Sequence, residues 1–217
     1  MVEPMRKSVT DVVTTTDENY EPTTSPLNEV SDLVTATDEN YEPTTPPLNG
    51  QNNIDCDFES GTCGWQQSPY DDFDWSRNSG VTPTSSTGPS GDHTTGYGYY
   101  MYIETSSPRY FGQNARLTSP AQYRYGSQCL TFWYHRYGST INSLNVYKSA
   151  STSPRSDDMI FSLNGTSGNA WYKAEISIDN YAQPFYITME GVCGNSYRGD
   201  IAIDDIILSQ GPCQQGT

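Results

Sequence analysis

Residues 129–138 read CLTFWYHRYG, a run in which large apolar side chains occupy successive positions instead of every second one. A β-strand has this pattern when both of its faces are buried. The run therefore predicts a central strand with Phe132 and Trp133 on opposite sides. It also predicts that Leu130 to Tyr134 is the least solvent-accessible segment of the chain.

Shorter runs of alternating apolar and polar residues lie on both sides of this strand, separated by Gly, Pro, Ser and Asn. From Ile54 onward no stretch keeps helical spacing for three turns, so the pattern predicts an all-β, two-sheet sandwich. The predicted strands are IDCDFE (54–59), GYYMYIET (98–105), ARLTSP (115–120), CLTFWYHRYG (129–138), SLNVYKS (143–149), DMIFSLNG (158–165), WYKAEISI (171–178), FYITMEGVC (185–193) and DIAIDDIIL (200–208).

Alternation is clearest in three of these strands. It predicts that their apolar positions point one way, cover one face of the sandwich and leave their polar neighbours pointing the other way. Those positions are Leu144 and Val146, then Ala174, Ile176 and Ile178, and finally Ile187 and Met189.

Residues 1–53 differ in composition and contain a tandem repeat. DVVTTTDENYEPTTSPLN at 11–28 recurs as DLVTATDENYEPTTPPLN at 32–49. Ordering a backbone costs about 1–2 kcal/mol per residue, which so few apolar side chains cannot offset. The segment therefore predicts a disordered, acidic, Thr/Pro-rich stalk, either O-glycosylated or an unmodified linker. Each repeat also places a tyrosine, Tyr20 or Tyr41, in a DENYEP frame, which suggests tyrosine sulfation, with unmodified tyrosines as the alternative.

Charge excludes some classes of partner. The 217 residues include 11 basic and 26 acidic ones, giving a formal net charge of -15. A chain this acidic repels phosphates and anionic lipid headgroups, and no apolar run approaches the length that spans a bilayer. The composition thus predicts that the chain has no nucleic-acid partner and that residues 1–217 do not insert into a membrane.

Five cysteines follow the repeats: Cys56, Cys63, Cys129, Cys193 and Cys213. They form no CxxC pair and have no His-rich partner set, so disulfides are favoured over a zinc site. Disulfides indicate an oxidising compartment, extracellular or at the cell surface. The first residues, MVEPMRKSVT, lack the apolar region of a signal peptide, which suggests a fragment of a longer precursor. Any four cysteines allow three pairings, so the residues alone leave the pairing open.

Five motifs occur in order along the chain: CDFESGTCGWQQ (56–67), DDFDWSRNSG (71–80), TGPSGDHTTGYGYYMYIE (87–104), CLTFWYHRYG (129–138) and GDIAIDDIIL (199–208). Together they resemble the MAM domain, an extracellular, jelly-roll-like β-sandwich. The resemblance covers residues 56–213 and implies a MAM-like domain at 54–213 with a tail at 214–217. It also implies an antiparallel jelly roll with a non-catalytic role in adhesion or oligomerisation of a parent protein.

The resemblance implies that Cys56 pairs with Cys63 and that Cys129 pairs with Cys213. Cys193, in GVCGNSYRGD, departs from the family pattern. An unpaired cysteine can be a buried small side chain, a reactive thiol or half of an intermolecular bridge. The surrounding glycines suggest a surface loop with an exposed sulfur, whereas the burial preference of cysteine favours a buried one.

Carboxylates cluster in DCDFE, near the start of the domain, and in DIAIDDI, near its end. If the first and last strands pair, Asp57 and Glu59, on one strand face, come close to Asp92 and Asp205. Such carboxylates are the hard oxygen ligands that Ca²⁺ prefers. The resemblance agrees, because several MAM-like modules hold a cation near the chain ends. The sequence thus predicts one structural Ca²⁺ or other cation, and the alternative is an exposed acidic surface.

Two surface features complete the set of candidate sites. Asn164 begins the only N-glycosylation sequence, Asn-Gly-Thr, which predicts a solvent-facing hairpin turn. In GYGYYMYIE, alternation predicts that Tyr100 and Tyr102 pack inside, which leaves Tyr97 and Tyr99 as a binding patch.

Catalytic motifs are missing from the sequence. There is no HExxH, GxSxG or P-loop, and the two histidines, His93 and His135, have no partner set that suggests catalysis. The predicted function is therefore a non-catalytic module that contacts a protein partner, a second copy of itself included. One alternative is a jelly-roll glycan-binding module in which Tyr97 or Trp75 contacts the sugar. The other is an ancillary domain of a secreted metalloprotease or receptor.

Overall fold

The computed structural model describes residues 53–181 and 184–214, and it has ten strands in those ranges. They are β1 (Gln66–Gln67), β2 (Ser76–Ser79), β3 (Tyr99–Ile103), β4 (Asn114–Thr118), β5 (Gly126–Tyr137), β6 (Ser143–Ser149), β7 (Met159–Asn164), β8 (Gly168–Asn180), β9 (Tyr186–Val192) and β10 (Asp200–Gln210). The only helical element there is one 3-10 turn, Ser156–Asp158, so no helix of this part of the chain could cross a membrane. The predicted stalk, with Tyr20 and Tyr41, lies outside the described residues.

The strands form two five-stranded sheets. Their orders are β1-β4-β9-β6-β7 in the first sheet and β2-β3-β10-β5-β8 in the second, and all paired neighbours are antiparallel. From β3 onward the chain crosses between the sheets at nearly every connection, as in a jelly roll. The predicted all-β, jelly-roll-like sandwich is confirmed.

The main core lies between the two sheets, but the predicted grouping of strands is wrong. β6 and β9, with Leu144 and Ile187, belong to the first sheet, whereas β8, with Ile176, belongs to the second. These apolar sets therefore face each other across the core. Alternation reports which side of a strand is apolar, but it cannot report in which sheet that strand lies.

β5 lies between β10 and β8, as predicted for a central strand. Phe132 is in the core, and Trp133 lies on the outer face, where it stacks against a loop residue. However, Trp133 and Tyr134 are partly exposed, so this is not the least accessible segment. Residues 200–204 of β10 are buried throughout, because a long loop covers the outer face of that strand.

The predicted first strand, residues 54–59, is also wrong. Only Cys56 forms a bridge, with Ile206, and Phe58 has a positive φ of 58°. The disulfide between Cys56 and Cys63 closes a short loop, which turns the chain before a strand can extend. β1 and β2 were not predicted, because both consist mainly of polar residues and show no alternation.

The sandwich has two distinct ends. At the first end, Gln128 of β5 pairs with Gln210 of β10, and the Asp55 carboxylate accepts a hydrogen bond from the Leu208 N–H at 2.8 Å. At the second end, residues 165–167 connect β7 to β8. Residues near both limits of the domain therefore lie at the first end.

Candidate functional site

A long loop, residues 80–98, lies across the outer face of the second sheet. Beneath it is a small apolar cluster separate from the main core, formed by Tyr100, Tyr102 and Ala202 with Trp171 packed against them. The Tyr100 hydroxyl donates to the Gly80 carbonyl at 2.7 Å, and the indole N–H of Trp171 donates to the Gly91 carbonyl at 3.2 Å. Tyr100 and Tyr102 are buried, but they pack under this loop instead of between the sheets.

Two buried carboxylates of β10 hold the loop down. Asp200 Oδ2 accepts a hydrogen bond from the Thr87 hydroxyl at 2.8 Å, and Asp204 Oδ2 accepts one from the His93 backbone N–H at 2.9 Å. Both aspartates are almost fully buried. Breaking either contact would remove a donor from a buried carboxylate, which is costly, so these contacts fix the loop.

The tip of this loop is a rigid turn that presents one tyrosine to solvent. Asp92 accepts hydrogen bonds from the backbone N–H groups of Gly98 at 2.7 Å and Thr95 at 2.8 Å. Burial alone raises the pKa of Asp92, but these donors outweigh it and lower the pKa below 3.8. On the other side, Glu59 Oε1 accepts from the Tyr99 N–H at 2.8 Å. Tyr97 projects from this turn with 92% of its surface exposed.

Tyr99 lies beside this turn and is partly covered by an arginine. The Arg77 guanidinium lies 3.4 Å from the centroid of the Tyr99 ring. Arg77 also donates to the carbonyl oxygens of Phe58 at 2.7 Å and Glu59 at 2.8 Å. Both predicted patch residues, Tyr97 and Tyr99, are therefore exposed, and we call residues 92–99 together with Arg77 the Tyr97 turn.

The four predicted calcium ligands surround the same turn, but they do not form one metal site. Asp92 and Glu59 are occupied by the N–H groups of the turn, and Asp57 Oδ1 accepts from the Glu59 N–H at 3.1 Å. Asp205 Oδ2 accepts from the Thr94 hydroxyl at 2.6 Å. Within residues 53–181 and 184–214, no three acidic, His or Cys side chains are arranged to hold a metal. Asp57 and Glu59 also do not share a strand, contrary to the prediction, and calcium binding by this set stays a prediction.

A shallow groove opens next to the turn, on the uncovered part of the outer face. The His93 ring stacks on Trp133 with 3.6 Å between centroids and 16° between planes. His93 Nδ1 lies 2.7 Å from Asp205 Oδ2, which orients the imidazole. The other walls of the groove include Asp57, Thr131, Lys173 and Ile207. The groove thus combines an aromatic stack with charges of both signs.

Titration of Asp204, which anchors the loop, makes the free energy of unfolding depend on pH. Burial raises its pKa from 3.8 to about 7, and the charges of Asp205 and Asp92 act in the same direction. Because the unfolded chain loses this proton at lower pH than the folded chain, stability falls as the pH rises from about 4 to about 7. Between pH 6 and pH 8, we expect Asp204 to lower the free energy of unfolding by about 1 kcal/mol.

The measurement compares wild type with Asp204→Asn by urea denaturation at pH 6, 7 and 8. The asparagine keeps an oxygen for the His93 N–H but does not titrate. Burial lowers the pKa of His135 to about 4, so His135 takes up a proton only in the unfolded chain at pH 6, an effect of opposite sign. That effect cancels between the two proteins. An equal pH dependence in both would show that Asp204 is not the group responsible.

The cysteines and the glycosylation sequence have definite places in the fold. Disulfides join Cys56 to Cys63 and Cys129 to Cys213. Cys193 is free and buried, with 1% of its surface exposed, and burial raises the pKa of its thiol to about 11. The expectation of an exposed sulfur is therefore wrong, because the backbone of Cys193 is held against the β3–β4 loop, and a sulfur buried there does not suit an intermolecular bridge.

Asn164 is exposed at the end of β7. The connection after it crosses to β8 in the other sheet, so the predicted hairpin turn is wrong, although the side chain faces solvent. The prediction that Trp75 contacts a glycan is also wrong. It is 3% exposed and its indole N–H donates to the Ala115 carbonyl, so it cannot contact a sugar.

Comparisons with known proteins agree with this architecture. The family model described as "MAM domain, meprin/A5/mu" matches residues 56–214. Thyroid hormone-induced protein B of Xenopus laevis is 43% identical over 163 residues, which covers 75% of this chain and 23% of that protein. MAM domain-containing glycosylphosphatidylinositol anchor protein 1 of Gallus gallus is 44% identical over 169 residues, which covers 73% and 17%. The chain thus spans about a fifth of the length of these relatives.

Among solved structures, the K1 cleaved adhesin domain of Lys-gingipain from Porphyromonas gingivalis W83 superposes with a TM-score of 0.55. It is 15% identical, and the match covers 73% of this chain and 98% of that one. At this identity the likeness shows the fold alone. The family model, which matches residues 56–214, and the similar relatives show the family as well as the fold. This chain belongs to the MAM domain family.

Proposed function

We propose that this domain is a non-catalytic, extracellular module that binds a second copy of itself through the Tyr97 turn. The observation that carries the proposal is the exposure of Tyr97, 92%, on a turn whose backbone is fixed by Asp92 and Glu59. Tyrosine is enriched among the residues that dominate protein interfaces. A turn that is already ordered loses little conformational entropy when it binds.

The surface around the turn has the chemistry that self-association needs. Arg77 and Lys173 provide positive charge, and Asp57 and Asp205 provide negative charge, within one region. Two copies related by a twofold axis can place each sign opposite the other. Two observations support an extracellular location: the two disulfides, and relatives that are named as glycosylphosphatidylinositol anchor proteins.

Tyr97→Ala should weaken self-association at least about tenfold, because the loss of an interface tyrosine commonly costs more than 1 kcal/mol. Sedimentation velocity over a range of concentrations would measure the dissociation constant. The matched control is Tyr110→Ala, since Tyr110 is also strongly exposed, at 72%, but lies in the β3–β4 loop. Equal loss in both variants, or a wild type that stays monomeric, would count against the Tyr97 turn.

The groove formed around His93 and Trp133 supports a second candidate function, binding of a glycan. Protein surfaces commonly hold sugars with aromatic rings that lie beside carboxylates and an amine. In such a site a few polar groups fix the orientation of the bound ligand. A glycan array probed with wild type and Trp133→Ala distinguishes the two. Binding that is lost with Trp133→Ala but kept with Tyr97→Ala would favour the glycan.

A further inference from the structure

A buried arginine at the second end of the sandwich has no acidic partner among residues 53–181 and 184–214. Arg136 of β5 pairs in register with Ile201, a residue of the main core, so its side chain points between the two sheets. Only 5% of Arg136 is exposed. We propose that its guanidinium binds a small monovalent anion, chloride, which neutralises this charge inside the sandwich. The site lies on the inner face of the second sheet, away from the Tyr97 turn, and it does not rest on the proposed self-association.

Most of the guanidinium of Arg136 makes no hydrogen bond. Nη2 donates to the Ser167 hydroxyl at 2.8 Å, but Nε and Nη1 are buried and have no acceptor in the part of the chain that the structure describes. The centroid of the Tyr134 ring lies 5.5 Å from the guanidinium carbon, near the outer limit of a cation–π contact. A buried cation is costly unless it is paired, so two unpartnered nitrogen atoms of one guanidinium point to a missing acceptor.

No carboxylate of the described residues balances Arg136, although the chain has 26 acidic residues against 11 basic ones. The ion pairs in that part of the chain involve His93, Arg116 and Lys173 instead. Burial lowers the pKa of Arg136, and only Tyr134 acts in the opposite direction. Because a guanidinium keeps its proton at physiological pH even when it is buried, the positive charge persists and a bound anion can balance it.

Hydroxyl groups near the guanidinium add further donors. The Ser167 hydroxyl accepts from Arg136 and keeps its own proton for another acceptor. Tyr134 and Tyr172 stack with 5.9 Å between ring centroids, and neither hydroxyl makes a hydrogen bond to another described residue. The Tyr172 hydroxyl lies close to Gly168, the residue of β8 that pairs with Arg136. A set of N–H and O–H donors without a carboxylate suits an anion and does not suit a cation.

Charge and access narrow the ligand to a halide. One guanidinium balances one negative charge, so a divalent oxyanion such as sulfate would leave a net charge buried. Nε and Nη1 of Arg136 are buried, which places them out of reach of a carboxylate on a protein partner but not of a single ion that enters between side chains. Chloride is the abundant ion of this kind outside cells.

Thermal melting of the full chain in about 150 mM NaCl, with sodium gluconate of equal ionic strength as the reference, tests the site. If chloride exceeds its dissociation constant about tenfold, mass action predicts a rise in the melting midpoint of about 3–6 °C. The rise should disappear in Arg136→Met, which puts an unbranched apolar side chain in place of the guanidinium. It should persist in Arg198→Met, the matched control, because Arg198 is exposed.

Bromide gives a readout that does not depend on stability or on the folding of a variant. It replaces chloride and scatters X-rays anomalously, so crystals of the wild type grown in NaBr should show an anomalous peak beside Nε and Nη1 of Arg136. That peak, together with a chloride effect that Arg136→Met abolishes, would support the site. Equal midpoints of the wild type in the two salts, a chloride effect that persists in Arg136→Met, or bromide peaks only elsewhere would overturn it.

Discussion

Replacing Cys129 and Cys213 together by alanine should lower the free energy of unfolding by about 4–5 kcal/mol. The two cysteines are 84 residues apart in sequence, so their bond removes a large amount of freedom from the unfolded chain. That bond also holds the segment after β10 against β5, the strand between β10 and β8. A domain of ordinary stability would retain little after this loss.

Cys56→Ala with Cys63→Ala is the matched control. These cysteines are only 7 residues apart, so the same chain-entropy model predicts a smaller loss, about 2–3 kcal/mol. Urea denaturation of the two double variants at one pH gives both values. A larger loss from the short loop than from the long one would show that loop length does not govern the stabilisation.

Trp75→Ala should cost about 3–5 kcal/mol, the second largest effect. The side chain is 3% exposed within the main core, and its indole N–H donates to the Ala115 carbonyl at 2.9 Å. The Gln67 side chain also hydrogen-bonds to both the N–H and the carbonyl of Trp75. Truncation would leave a cavity and would remove the hydrogen bond from the indole to the Ala115 carbonyl, so it would loosen the contact between the sheets.

Trp75→Phe separates these two effects. Phenylalanine fills most of the volume but cannot donate, so we expect a loss of about 1–2 kcal/mol, mainly from the lost hydrogen bond to the Ala115 carbonyl. Tyr97→Ala is the control for a fully exposed aromatic residue and should change stability by less than about 0.5 kcal/mol. If Trp75→Ala cost no more than Tyr97→Ala, Trp75 would not be a structural residue of the core.

The sequence was most informative where strands are apolar. Seven of the predicted runs outside the central one begin or end near real elements, from 143–149, which matches β6, to 200–208, which lies within β10. The exception is residues 54–59. The disulfide between Cys56 and Cys63 bends this short apolar run, and the local pattern of apolar residues does not reveal that bend. β1 and β2 could not be found, because they consist of polar residues that pair at the edges of sheets.

The sequence identified several residues of the candidate site, but it did not predict what each of them does. Asp92 and Glu59 were predicted as metal ligands, whereas the structure shows both accepting hydrogen bonds from backbone N–H groups, which leave no trace in a sequence. Asp200 and Asp204 were not selected, because their partners, the Thr87 hydroxyl and the His93 N–H, belong to a loop that reaches β10 only in the folded chain. The stacking of His93 on Trp133 could not be foreseen for the same reason.

The long disulfide has a mechanical consequence. Tension applied at Cys56 and Cys213 would pass through the bond from Cys213 to Cys129 and would bypass every residue between them. Only the stretch from Cys63 to Cys129, which holds β1 to β4, could then be pulled out of the fold. β6 to β10 lie inside the closed loop and could not be extended, so the bond limits how far this domain can lengthen when it is pulled.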